Sequence, residues 1–259
     1  IATLGWTELD QARRERLLGE TYQGWGKLAQ ARQHLRRALT LLGRPVPTNT
    51  ARMLLDTLGQ AMAQIGHRLR FAFQAATPPA AKVARTPEYA RTEMVKAYQL
   101  WAAIITLVNE AGLSGFYTVL NMVNLIETTD PAMPELAVAY ANLGYSLNFV
   151  SLISLAEAYF RRALDITARV EHWPTSAWVS FVLGSYRIGR GQWPATEEAL
   201  IRSQDLYDRL GDRRTWTWAT NILAFAAYYQ GQFGRSEAMY KDIYTAGLGS
   251  DHVEHQAWG

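Results

Sequence analysis

The stretch from Pro134 to Leu164, PELAVAYANLGYSLNFVSLISLAEAYFRRAL, decides how the rest of the chain is interpreted. Apolar residues in its first half recur three and four positions apart, as on one buried face of an α-helix. They are Leu136, Ala139, Tyr140, Leu143 and Leu147. The second half repeats this spacing on Ala156, Tyr159, Phe160, Ala163 and Leu164. Two amphipathic helices in direct succession predict an antiparallel hairpin in which each helix covers the apolar face of the other.

The same pattern returns at a fixed interval along the chain. Leu143-Gly144 is followed by Leu183-Gly184 and then by Leu223-Ala224, and the turn glycine Gly191 is followed by Gly231. A constant period of about 40 residues indicates a stack of equivalent helical hairpins. The prediction is therefore an all-α chain without strands.

The pattern divides the chain into three predicted parts. Residues 1–44 form an N-terminal hairpin that carries Leu18-Gly19, and residues 45–87 form an irregular helical segment with a Pro-rich loop. Residues 88–259 hold further hairpins and end in a truncated one. Leu58-Gly59 lies one such interval after Leu18-Gly19, but no second helix is recognisable behind it, so a repeat and an accidental match both remain open.

Helix boundaries follow from the spacing of apolar residues and from the glycine and proline breakers. Outside the hairpins at residues 1–44 and 134–164, the predicted helices include Thr50–Phe73, Tyr89–Asn109, Ser114–Glu127, Arg213–Tyr229 and Phe233–Ala246. Residues 74–86 are expected to form a loop. Asp251 is expected to cap one more helix.

These residues resemble the tetratricopeptide repeat, which has Leu-Gly on its first helix, a turn glycine, and small, aromatic and small residues on its second. The period of about 40 residues is longer than that of the usual tetratricopeptide repeat, and units of this length are similar to the repeat regions of STAND-type signalling ATPases. The stretch from Tyr22 to Pro47, followed by Ala137–Gly144, resembles the C-terminal region of large bacterial proteins that join a class III nucleotide cyclase, an ATPase and repeats. The resemblance implies a right-handed superhelical solenoid and a regulatory module of a signalling ATPase or an adenylate or guanylate cyclase.

Composition excludes several classes of function. The chain has no cysteine, which rules out disulfides, thiolate metal sites and a cysteine nucleophile, and fits a reducing cytoplasm. Its most apolar stretch, Trp101 to Val108, is far shorter than the roughly 20 residues that span a bilayer. A Walker loop, a G-x-S-x-G elbow and an H-E-x-x-H helix are absent. We therefore expect neither an enzyme nor a cofactor, and no membrane partner.

Three weaker motifs each have a simpler explanation. Gly24 to Ala29 matches the dinucleotide fingerprint G-x-G-x-x-A, but no strand precedes it and the glycines suit a turn between helices. His252, Glu254 and His255 could place metal ligands on one helical face, or they could form a capped, solvated first turn. The carboxylates of the second helices suit a solvated face. They are Glu197, Glu198, Asp205, Asp208 and Asp212.

The N-terminal part of the chain is rich in arginine. Residues 1–70 hold ten arginines and one lysine against five acids. The clustered arginines are Arg13, Arg14, Arg16, Arg32, Arg36 and Arg37. They are expected on outward helix faces beside the compensating Glu15 and Glu20, so nucleic acid is not a predicted partner.

The strongest functional prediction concerns the first helices of successive hairpins, which line the inner wall of a repeat stack. Their groove-facing positions carry rings and a few amides, a composition that suits peptides, helices or sugar rings. The predicted binding residues are Tyr145, Asn148, Phe149, Trp178, Phe181, Ser185, Trp218, Asn221, Phe225 and Tyr228.

The partner expected at this wall is a protein or peptide, including another domain of the same polypeptide, or a small-molecule effector. Three alternatives stand beside this prediction. The rings could simply pack the hairpins together, the chain could be a structural oligomerisation stack, or it could be a metal-dependent enzyme acting through His252 and His255.

Overall fold

The computed structural model describes residues 7–73, 88–107, 112–127 and 133–250. Within these ranges the chain forms eleven α-helices and no strand, and most helices pack against their neighbours in the chain. The predicted all-α fold of helix hairpins is confirmed. The helices are α1 (Glu8–Gly24), α2 (Leu28–Leu41), α3 (Thr50–Phe73), α4 (Glu88–Leu107), α5 (Gly112–Ile126), α6 (Pro134–Asn148), α7 (Ile153–Arg169), α8 (Trp173–Ile188), α9 (Trp193–Leu210), α10 (Arg213–Tyr229) and α11 (Phe233–Ser250).

The chain divides into two compact units, residues 1–133 and 134–259. The predicted boundaries at residues 44 and 87 both lie inside the first unit. The predicted loop from 74 to 86 and the predicted cap at Asp251 lie outside the described residues. No helix in the described ranges is long and apolar enough to cross a membrane.

The second unit is a series of three hairpins, α6 with α7, α8 with α9 and α10 with α11. Each hairpin turns at a residue with a left-handed backbone. Gly191 and Gly231 have φ angles of 67° and 75°, and Ser151 takes φ 59° at the equivalent position one repeat earlier. The period in the sequence is thus a period of turns in the structure.

The Leu-Gly pairs mark the closest approach of two helices within a hairpin. A Cβ atom on Gly184 would lie 2.5 Å from Cγ of Leu200, and one on Gly144 would lie 3.0 Å from the ring of Phe160. The first distance is not available to a real side chain, and the second is tighter than an ordinary contact. Glycine is therefore the residue that permits this packing.

Three departures from the repeat pattern are buried on the second helices. Thr196, Ser236 and Ile243 stand where the repeat favours small residues, and their exposure is 4% or less. The Ser236 hydroxyl donates a 3.0 Å hydrogen bond to the carbonyl oxygen of Ala224, which satisfies it inside the core. These three side chains therefore belong to the core.

The first unit combines one such hairpin with three further helices. In the hairpin of α1 and α2, a Cβ on Gly19 would lie 2.7 Å from Cγ of Leu35. Helix α4 packs on α1, α2 and α5, and α3 packs chiefly on α5. The large side chains of this core include Val95, Tyr98, Trp101, Ile105, Met122 and Ile126.

One predicted outward-facing arginine belongs to this core. Arg16 is 6% exposed and holds Glu93 of α4 at 2.5 Å and Glu20 at 2.8 Å. A charge removed from water requires such partners, because an unpaired buried guanidinium would be strongly destabilising. The expectation that Arg16 faces solvent is therefore wrong, and the residue ties α1 to α4.

Candidate binding surface

The ten predicted wall residues all lie in the second unit, on α6, α8 and α10 or directly after α6. None of them is fully buried, and Phe149, Phe225 and Tyr228 are exposed. On α10 the spacing of Trp218, Asn221, Phe225 and Tyr228 follows one helical face. We call these ten residues the aromatic face.

The inner rings of this face pack against one another. Trp178 lies 5.6 Å from Phe181 and 6.5 Å from Trp218, measured between ring centroids, and Phe181 lies 6.4 Å from Trp218. The indole Nε1 of Trp178 donates a 3.0 Å hydrogen bond to Oδ1 of Asn142. These half-buried rings join α6, α8 and α10, so here the packing alternative describes the role of the residues well.

The outer rings contact neighbouring rings and remain exposed. Phe225 stacks on Tyr229 at 6.5 Å and makes a T-shaped contact with Tyr240 at 6.2 Å, and Tyr228 makes a T-shaped contact with Phe233 at 5.4 Å. The exposed fractions of Phe149, Phe225 and Tyr228 are 64%, 41% and 55%. Large rings that are fixed and exposed together are typical of binding surfaces.

Small residues on α8 stand where its neighbours carry rings. In the repeat register, Ser185 corresponds to Tyr145 and Phe225, and Gly189 corresponds to Phe149 and Tyr229. The repeat register therefore predicts a depression over the end of α8, between the rings that correspond to its two small residues, and we call this predicted depression the notch.

At the predicted notch, Gly189 has room for a side chain and Ser185 bonds to its own helix. A Cβ on Gly189 would meet only the carbonyl oxygen of Tyr186 at 3.6 Å and Nδ2 of Asn148 at 4.0 Å, both ordinary contacts. The hydroxyl of Ser185 donates to the carbonyl oxygen of Phe181 at 2.9 Å and so turns toward its own helix. The amide of Asn148 is the polar group beside Gly189.

The first helices carry almost no negative charge. Within α6, α8 and α10, each described along its full length, Glu135 is the single acid, against Arg187, Arg213 and Arg214. The guanidinium of Arg214 lies 5.6 Å above the ring of Trp218. Burial raises the pKa of the Tyr145 phenol, so this side chain stays neutral. The formal charge of these three helices is therefore positive, although Arg213 pairs with Asp208 of α9 at 3.8 Å.

Sequence reasoning missed three residues of this surface. Tyr229 and Phe233 are 66% and 62% exposed and extend the outer rings. Tyr229 lies two repeat periods after Phe149, so the repeat register carried the signal for it. Asn142, which holds Trp178, has no such signal because its role depends on a contact between helices.

Among the predicted carboxylates, Glu198, Asp205 and Asp208 are exposed, and the other two have structural roles. Glu197 pairs with Arg235 at 2.6 Å, and Oδ1 of Asp212 accepts a hydrogen bond from the amide of Thr215 to cap α10. In the described part of the chain no group of three or more potential ligands could hold a metal ion. His252, Glu254 and His255 lie outside the described residues.

The glycines that match the dinucleotide fingerprint belong to a turn between helices. Gly24 ends α1, and Gly26 has φ 70° in the connection to α2. A helix precedes the motif where a dinucleotide site requires a strand. The match is explained by the hairpin.

The remaining clustered arginines divide between packing and solvent. Arg32 and Arg36 lie 5.5 and 5.6 Å over the ring of Trp101, while Arg13 is exposed. Arg14, Arg36 and Arg37 line an open groove of about 650 Å³ between α1 and α2. Glu15 lies in this groove and is held by His34 at 2.8 Å.

No protein-family model matches this chain, and no curated protein matches it.

Proposed function

We propose that this chain is a binding scaffold whose aromatic face takes up a peptide segment of a protein partner, including a segment of another domain of the same polypeptide. The observation that carries the proposal is the set of exposed rings of Phe149, Phe225 and Tyr228, and the repeat register places the small residues Ser185 and Gly189 between them. Such a surface offers stacking partners and a recess on rigid helices, which is how helical repeats bind extended ligands.

Pre-organised rings favour binding because little freedom is lost when a ligand covers them. Phe225 already contacts Tyr229 and Tyr240, and Tyr228 already contacts Phe233. A partner that covers the exposed surface of these rings gains apolar contact without a large entropic cost of ordering them. The amide of Asn148 beside Gly189 supplies a donor and an acceptor for a peptide backbone.

The charge of the first helices favours an acidic partner. Three arginines against one glutamate make these helices positive, and most acids of the second unit lie on α7, α9 and α11. Complementary charge accelerates association and discriminates against basic competitors. We therefore propose a segment in which apolar side chains are flanked by Asp or Glu.

The place of this scaffold in a larger protein is a second part of the proposal. Its support is the sequence resemblance to the repeat regions of STAND-type ATPases and of multidomain nucleotide cyclases. In that setting the aromatic face would act as a sensor, so that occupancy by a partner changes the activity of an attached enzyme. The absence of cysteine supports a cytoplasmic location.

The test is to select ligands from a phage-displayed random peptide library and to measure their affinity by fluorescence anisotropy. We expect enrichment of acidic peptides with apolar anchors, and at least about tenfold weaker binding to the double variant Phe225→Ala, Tyr228→Ala. Trp25→Ala is the matched control, because Trp25 is a 63% exposed ring in the first unit. Equal binding to wild type and to the double variant would refute the proposal.

A further inference from the structure

Helix α3 has its polar residues where a helix of a globular unit usually has its apolar ones. Its packed side faces α5 through Thr57, Gln60, Gln64, His67 and Arg68. Asn124 of α5 donates from Nδ2 to the carbonyl oxygen of Gln60 at 2.9 Å and to its Oε1 at 2.8 Å. Glu127 accepts from Gln64 at 3.1 Å and pairs with Arg68. Between Gln60 and Arg68 the inner contact of α3 is a hydrogen-bonded network, and nearer the start of the helix Met53 contacts Ser114 of α5 at 3.7 Å.

The opposite side of α3 is apolar and exposed. Its large side chains are 48% to 68% exposed. They are Leu54, Leu55, Leu58, Met62 and Ile65, which we call the outer face of α3. Single exposed apolar side chains are common on protein surfaces and are scattered. A continuous row of them along one helix is typical of an interaction surface.

The spacing of the outer face is that of a coiled-coil seam. Leu55, Leu58, Met62 and Ile65 follow one another at steps of three, four and three, which is the alternation of a and d positions in heptads. Leu54 occupies the adjoining g position, so one partner helix lying along this seam would cover all five side chains of the outer face.

Two glycines beside the seam support the same conclusion independently. Gly59 and Gly66 lie inside α3, where glycine weakens a helix, and a Cβ atom on either would meet nothing within 4 Å. By contrast, a Cβ on Gly19 of the first hairpin would run into Leu35 at 2.7 Å. No contact among the described residues explains Gly59 and Gly66, whereas a helix approaching the outer face closely would explain both.

We infer that the outer face of α3 binds the α3 helix of a second copy of this chain in antiparallel orientation. With the pair centred on Gln60, Leu55 faces Ile65 of the second copy and Leu58 faces Met62. Every a residue thus meets a d residue, as antiparallel coiled coils require. Gly59 then lies near the centre of the pair, and residues without side chains let the helices approach closely.

The extent of the surface fits a self-associating pair. Five large side chains that are about half to two-thirds exposed form a patch on the order of several hundred Å² per copy. Two such patches together reach the lower bound of specific interfaces, roughly 1,200 Å². The pair is therefore expected to be a reversible dimer and does not depend on the proposed function of the aromatic face.

The first experiment is the molar mass of the full chain by light scattering after size exclusion, across a concentration series. Wild type should approach twice 29.1 kDa as concentration rises. The variant Leu58→Glu, Met62→Glu should stay monomeric with an unchanged helical spectrum, and Leu17→Glu, at a 46% exposed leucine of α1, should dimerise like wild type. A wild type that is monomeric at its highest soluble concentration would overturn the inference.

A second experiment tests orientation and remains informative if the double variant fails to fold. The chain contains no cysteine, so single cysteines report pairing without background. A mixture of Leu58→Cys and Met62→Cys proteins should form mainly the mixed disulfide on mild oxidation with oxidised glutathione, which accepts the two electrons released. Predominant linkage of position 58 to position 58 would contradict the antiparallel pairing.

Discussion

The pairs Leu18-Gly19 and Leu58-Gly59 are identical in sequence and one repeat period apart, yet they have different structural roles. Gly19 lies where α1 and α2 touch, and a Cβ there would overlap Leu35. Gly59 lies in open space on α3, which packs on α5 and forms no hairpin with α4, the next helix among the described residues. The comparison shows that a repeat signature identifies a close approach of helices only when the second helix is present.

The same contrast appears in which side of each helix is buried. In the hairpins of the second unit, apolar residues such as Leu143 and Leu183 are buried. In α3, Gln64 is buried and Leu58 is exposed. Substitutions at these positions should therefore have opposite consequences in the two regions.

The largest effect is expected from removal of the buried acid that holds α3. Glu127→Ala should lower the free energy of unfolding of the first unit by about 3 kcal/mol, because Gln64 and the charged Arg68 would lose the carboxylate that they both contact. Urea unfolding of dilute protein measures this loss. Leu58→Ala is the control, and in dilute protein we expect it to lower the free energy of unfolding by less than about 0.5 kcal/mol. The reverse ranking would mean that α3 has a conventional apolar inner side.

The next effect tests the close approach in the second unit. Gly184→Ala should destabilise the chain by about 1–3 kcal/mol, since its Cβ would overlap Leu200 and force the hairpin apart. Gly189→Ala, whose Cβ would meet only ordinary contacts, is the matched variant and should be near neutral. Thermal unfolding of the two proteins side by side gives the answer, and equal midpoints would remove the packing explanation of the Leu-Gly pairs.

A smaller change of opposite sign is expected at the glycine of α3. Gly59→Ala should stabilise the monomer by up to about 1 kcal/mol, because alanine favours a helix and nothing crowds the new methyl group. The same substitution should weaken self-association at high concentration. Chemical unfolding at low concentration and light scattering at high concentration separate the two effects. A loss of monomer stability would show that Gly59 is packed after all.

The smallest effect concerns the turns that set the period. Ser151→Gly should raise the free energy of unfolding by roughly 0.5 kcal/mol, because Ser151 takes φ 59° where the equivalent turns have Gly191 and Gly231. The gain is limited by the extra freedom of glycine in the unfolded chain. A lower melting temperature for this variant would indicate that the Ser151 side chain stabilises the fold by more than its left-handed backbone destabilises it.

Much of the fold follows from the sequence because helical period and glycine turns are local signals. The predicted helices Thr50–Phe73 and Arg213–Tyr229 match α3 and α10 at both ends. The inverted burial of α3 could not be predicted, because the acid that satisfies its inner side, Glu127, lies far along the chain at the end of another helix. The same holds for Arg16, whose partner Glu93 comes from α4.

The site shows the same division between local and distant information. The repeat register indicated which positions face outward, and it included the exposed rings of Phe149 and Phe225. It did not separate these from Trp178, whose partial burial depends on Asn142 and on a ring from α10. Only contacts between hairpins distinguish a ring that packs from a ring that is open to a ligand.

The measurement that tests the central proposal most directly is the affinity of a selected acidic peptide for the variant Ser185→Phe. This substitution fills the notch with a ring at a position where the neighbouring repeats already have Tyr145 and Phe225, so the helix should tolerate it. If the notch receives the peptide, anisotropy titration will show binding weakened at least about tenfold, although the surface has gained an aromatic side chain. Equal or tighter binding would contradict the account, because it would mean that exposed rings attract the peptide without a shaped site.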